Sequence, residues 1–131
     1  MKSMAMMLTM LFAVILSFNA QAQPGPWEKL GSRKVTFKQD YDEIVVTGRE
    51  GTFRALKLMV EDGPIEVDHI VVHYRRGKPE ELNVRQHLPA GGETRVLDLR
   101  GGDRIIRRVV FYYQSTNTEG RRAKVTLYGK H

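Results

Sequence analysis

Apolar residues that recur at every second position are the feature that most narrows the fold. Leu56, Leu58 and Val60 share one parity, as do Leu97 and Leu99, then Val109, Phe111 and Tyr113, then Ala123, Val125 and Leu127. Mostly polar or smaller residues occupy the positions between, Met59 being an exception. Such alternation marks strands with one face turned to a core. Glycine, proline and Asp-Gly signals separate these runs, including Glu61-Asp62-Gly63-Pro64, Arg75 to Pro79, Pro89 to Gly92 and Arg100 to Asp103. Asp62-Gly63 in particular reads as a hairpin signal. Apolar spacing of three and four is not sustained anywhere after residue 22, so at most one helical turn is expected, near Gly102 to Ile106.

About eight short strands with turns every eight to twelve residues predict an all-β fold. A two-layer antiparallel β-sandwich of jelly-roll type fits, because the long strands each carry one inner face. A closed barrel is the alternative. In the longest run, Ile65 and Val67 share a face, and so do Ile70, Val72 and Tyr74, yet Val67 and Ile70 are three apart. A β-bulge at Asp68-His69 would absorb the odd residue.

The first segment has a different logic. Lys2 precedes an uncharged run from Ala5 to Phe18, and Ala20-Gln21-Ala22 follows. That order matches a secretory signal peptide cleaved near Ala22. The apolar run is shorter than the roughly 20 residues that span a bilayer. The expected organisation is therefore a signal peptide over 1–22, an extended leader over 23–29 and a β-sandwich domain over 30–131, with no transmembrane segment in the mature chain. The destination is periplasmic or secreted. The 131 residues suffice for one domain and contain no cysteine. This excludes disulfides, zinc-thiolate sites and a cysteine nucleophile.

Three stretches carry a resemblance. They are Trp27-Glu28-Lys29-Leu30-Gly31-Ser32-Arg33, then Gly51-Thr52-Phe53-Arg54-Ala55-Leu56, then Leu97-Asp98-Leu99-Arg100-Gly101-Gly102-Asp103-Arg104. Together they resemble a family of small exported bacterial proteins classed as a domain of unknown function, over nearly all of the mature chain. The resemblance implies a β-sandwich and an envelope or secreted location. It implies no activity, substrate or site residues.

Arginine dominates the candidate sites. The chain holds 21 Lys plus Arg against 15 Asp plus Glu, for a formal charge of +6. Arg75, Arg76 and Lys78 fall in one loop. Arg100, Arg104, Arg107 and Arg108 surround another, and Arg121, Arg122 and Lys124 a third. Loops gathered at one end of a sandwich would form a positive rim for an anionic polymer or head group. Tyr112 and Tyr128 would point away from the inner faces, and with Trp27, the only tryptophan, they suggest a small sugar platform. His69 and His73, near Glu66 and Asp68, are the weak candidates for a metal site, and Asp40, Asp42 and Glu43 for a calcium loop. Ser32 and Ser115 lie in no nucleophile motif. Gly91-Gly92 and Gly101-Gly102 lack the lysine of a phosphate loop and read as turns.

The expected function is thus an exported, non-catalytic binding or structural domain of the bacterial envelope. Its ligand is an anionic or sugar-containing surface component, or an envelope protein. The alternative is a small secreted hydrolase or metal-dependent enzyme using His69, His73 or a carboxylate pair. A third possibility is a structural partner that adds a strand at an exposed edge. No cofactor and no nucleic acid are expected.

Overall fold

The computed structural model describes residues 27–35, 40–47, 51–114 and 122–131. They form eight strands in two antiparallel sheets, and the described residues include no helix. The strands are β1 (Trp27–Lys34), β2 (Tyr41–Val45), β3 (Ala55–Glu61), β4 (Ile65–Tyr74), β5 (Glu80–Leu88), β6 (Leu97–Asp98), β7 (Ile106–Gln114) and β8 (Lys124–Lys130). One sheet runs β1-β8-β3-β6 and the other β2-β7-β4-β5. This is jelly-roll order, and the two ladders do not join among the described residues, so the barrel alternative is excluded. β1 starts at Trp27, so its ladder takes in the last three residues of the expected leader.

The inner faces supply the core. Leu56, Leu58 and Val60 meet Ile70, Val72, Val109, Phe111, Val125 and Leu127, all fully buried. Burying each such side chain stabilises by roughly 1.5–3 kcal/mol. Gly129 on β8 is covered by side chains from its own sheet, since a built Cβ would lie 2.6 Å from Phe53 Cδ1 and 2.8 Å from Leu30 Cδ1. Only glycine fits there.

Two local expectations change. Asp62-Gly63 is a turn, but β3 and β4 belong to different sheets, so it bridges the layers and closes no hairpin. The single sequential hairpin between named strands is β4–β5, turned at Arg75 to Pro79. Gly102 to Ile106 is not helical, because Phe53 and Arg104 exchange backbone hydrogen bonds of 2.9 Å and draw the segment into a bridge.

The bulge at Asp68 is present: Val67 pairs with Tyr113 while His69 pairs with Tyr112. A second bulge lies on β7, where Ile106 pairs with Tyr74 but Arg108 pairs with His73. Arg107 is the extra residue.

Candidate functional site

The topology gathers three loops at one end of the sandwich. These are the segment before β3, the β4–β5 turn and the β6–β7 connection. Arg75, Arg76, Arg104, Arg107 and Arg108 all lie there, as the sequence suggested. The third cluster does not join them. Lys124 pairs with Lys34 and Glu61 at the opposite end, with Arg122 beside it, and Arg121 lies outside the described residues.

The bulge at Arg107 decides how the arginines point. Without it Arg107 and Arg108 would face opposite sides of β7. With it both are exposed, while Ile106 and Val109 stay buried on either side. The two guanidinium-bearing residues join Arg75 in lining an open groove of about 750 Å³, with Glu43, Val45, Val46, Ile105 and Ile106 as the other walls. Backbone hydrogen bonds hold it, from Val46 N to Arg107 O at 2.8 Å and from Arg75 N to Ile105 O at 2.9 Å. Arg108 Nε lies 3.2 Å from a Glu43 carboxylate oxygen. Arg75, Arg76 and Arg107 make no ion pair with a described residue.

Arg104 has a different role. Its guanidinium lies 3.7 Å from the Tyr74 ring centroid, and it donates to the carbonyls of Arg76 and Arg100, each at 2.9 Å. It clamps the two loops together. Gly77 (φ 95°) and Gly101 (φ 88°) make room, since Cβ atoms there would meet its terminal nitrogens at 2.9 and 3.2 Å. Below the clamp, Glu80 is buried and accepts from the Tyr74 hydroxyl and from Arg100 N at 3.0 Å. Burial, and then this hydrogen bond, hold the Tyr74 hydroxyl well above the usual phenol range.

The aromatic platform does not assemble as expected. Tyr112 lies on the outer face of the β2-β7-β4-β5 sheet, whereas Trp27 and Tyr128 lie on the outer face of the other. Tyr112 is also flanked on both sides. His69 stacks on it at 4.3 Å between centroids and 13° between planes, and Tyr41 tilts against it at 5.6 Å. Its neighbours occupy the ring faces that a sugar would need. On the opposite sheet Lys57 Nζ sits 4.5 Å over the Trp27 ring and 6.0 Å from that of Tyr128.

His69 and His73 do share a face of β4, but four strand steps place them about 13 Å apart. His69 Nδ1 is 2.6 Å from Asp68 Oδ2. His73 sits beside Arg108, and burial followed by that cation lowers its pKa. Among the described residues no group of three or more His, Asp or Glu is placed to hold a metal. Alternation likewise splits the acidic run. Asp42 accepts from the Tyr113 hydroxyl at 2.9 Å and Glu43 pairs with Arg108 across the sheet. Ser32 is exposed on β1, and Ser115 lies outside the described residues.

Residues 4–129 match a family described as a domain of unknown function, DUF2541. The chain belongs to that family. No curated protein matches this DUF2541 chain. Among solved structures, Pseudomonas aeruginosa AlgX aligns with a TM-score of 0.53 and 18% identity, over 76% of this chain and 26% of that one. At that identity the likeness shows the β-sandwich fold alone, and the chain spans about a quarter of AlgX. No helix among the described residues is long and apolar enough to cross a membrane.

Sequence reading located the arginines but missed the groove walls Val45, Val46, Ile105 and Glu43. It also missed the second bulge, although Ile106 to Val109 shows the same three-residue step as Val67 to Ile70.

Proposed function

We propose that this DUF2541 chain is a non-catalytic binding domain of the bacterial envelope that holds the acidic groups of an anionic glycan in its arginine groove. One observation carries the reading. Arg75 from the β4–β5 turn and Arg107 and Arg108 from the start of β7 line one open groove, and two of them, Arg75 and Arg107, have no carboxylate partner among the described residues. Planar guanidinium groups in such an arrangement suit carboxylate, sulfate or phosphate through paired hydrogen bonds.

An open trough fits a polymer that passes across it better than a small substrate enclosed on most sides. Glu43 is the one carboxylate in the wall, and it is held by Arg108. Neither a nucleophile nor a histidine lines the groove, which weighs against the hydrolase alternative. The signal-like segment over 1–22 supports export, and with it a periplasmic or secreted setting.

The strand-adding alternative loses ground at β5. Arg95 donates to the Val84 and Asn83 carbonyls at 2.7 and 2.5 Å, so these acceptors on an edge strand are already occupied.

Retention on immobilised polygalacturonate tests the proposal. Arg75→Ala with Arg107→Ala should elute at clearly lower salt than wild type. Lys34→Ala with Lys124→Ala removes equal charge at the opposite end and should elute close to wild type. Equal losses in the two variants would reduce the effect to net charge and refute a groove-specific site.

A further inference from the structure

The Asp68 bulge opens a second cavity, on the outer face of the β2-β7-β4-β5 sheet. Two rows of paired residues flank the bulge, Tyr113–Val67–Gln86 and Tyr112–His69–Asn83. Between these rows β7 takes one step, β4 two and β5 three. Strands of unequal length between shared rows must splay. A cavity of about 220 Å³ straddles the first of these rows, with Asp68 and Arg85 on the bulge side, the Glu66–Gln114 pair on the other and Val67 between. Arg85 holds φ at 49°, a left-handed conformation that glycine adopts without strain and arginine does not. Strain of this kind is retained where surrounding structure or function demands the side chain.

The wall chemistry is selective. Glu66 and Asp68 accept hydrogen bonds, Arg85 donates them, and the Gln114 amide does both. Neither Glu66 nor Arg85 forms an ion pair with a described residue, so both remain open to a ligand. Asp68 is steadied through one oxygen by His69, which is itself stacked on Tyr112. An anion here would face two carboxylates. A metal ion would face Arg85, with too few converging ligands among the described residues. An uncharged molecule dense in hydroxyl groups meets both kinds of partner. The volume is below the roughly 300–1,000 Å³ of pockets for drug-sized ligands, and so suits a single ring.

We infer that this bulged corner binds one uncharged sugar ring. The inference extends the glycan-binding reading to a subsite that shares no residue with the arginine groove. Gln114 and Arg108 lie on the same face of β7, about 20 Å apart at the usual strand rise. One short oligosaccharide therefore reaches from the corner to the groove.

Amide NMR titrations separate the two sites. The uncharged trisaccharides cellotriose, maltotriose and chitotriose are added to the ¹⁵N-labelled protein, and polyphosphate to a parallel sample. At least one trisaccharide should shift the amides of Glu66 to His69, Arg85 and Gln114 while leaving Arg107 in place. Glu66→Ala and Arg85→Gly should each weaken that binding by about tenfold, as expected for one lost charge-assisted hydrogen bond. Arg85→Gly relieves strain, so its loss of binding would not reflect unfolding. If none of the three sugars moves the corner amides, or if Glu66→Ala binds as wild type does, the inference fails. If polyphosphate leaves the Arg107 region unmoved, the groove reading fails and the sugar subsite stands.

Discussion

Arg104 shows how one side chain can be spent on structure amid residues positioned to bind. It stacks on Tyr74 and satisfies two carbonyls from different loops. Arg104→Ala should lower stability by roughly 2–3 kcal/mol in urea unfolding, from the lost charged hydrogen bonds and cation–π contact. Arg104→Lys should recover less than half of that, because a lysine lacks the planar fork. Arg85 makes the opposite case. Relief of its left-handed backbone in Arg85→Gly should raise stability by about 1 kcal/mol, read from the same urea midpoint. A lower midpoint would mean that Arg85 packs rather than strains. His73 reports on the groove from its edge. Because Arg108 is one of the causes that lower its pKa, Arg108→Ala should raise that value in an NMR titration of the ring.

At the scale of elements, strand and turn positions were legible because burial on one face imposes a period of two. The Asp68 bulge was legible for the same reason, since a step of three between inward residues has no other solution in a strand. The layer crossing at Asp62-Gly63 was not legible. A turn sequence fixes local backbone, while the choice of partner strand depends on contacts far along the chain. The scattering of Trp27, Tyr112 and Tyr128 was hidden likewise, since parity places a residue outward but does not name its sheet. That Arg104 is a clamp was equally out of reach, because its partners lie in loops brought together only by the fold. Arg95 is an element-scale device too. It covers carbonyls on the β5 edge, so Arg95→Ala should increase concentration-dependent association in light scattering, and a variant that stays monomeric would show that the cap is dispensable.

The whole molecule is a sandwich whose polar anchors include two buried tyrosines. Tyr74 bonds to Glu80 and Tyr113 to Asp42, and burial, then these bonds, raise both phenols above their ordinary range. Unfolded tyrosine ionises near pH 10. Above that pH the unfolded chain releases protons that the folded one retains. The stability these groups contribute is therefore intact below about pH 10 and falls as pH rises, by about 1.4 kcal/mol per pH unit for each tyrosine. Tyr74→Phe with Tyr113→Phe should flatten that alkaline decline in urea midpoints, and an unchanged slope would place its origin elsewhere.

The salt dependence of oligogalacturonate binding bears most directly on the arginine groove. Each arginine that pairs with a ligand anion displaces counterions, so the logarithm of affinity falls with the logarithm of salt in proportion to the contacts made. Replacing Arg75, Arg107 and Arg108 together with alanine should reduce that slope by about two to three. A triple variant that keeps the wild-type slope would contradict the groove as the place where the anion sits.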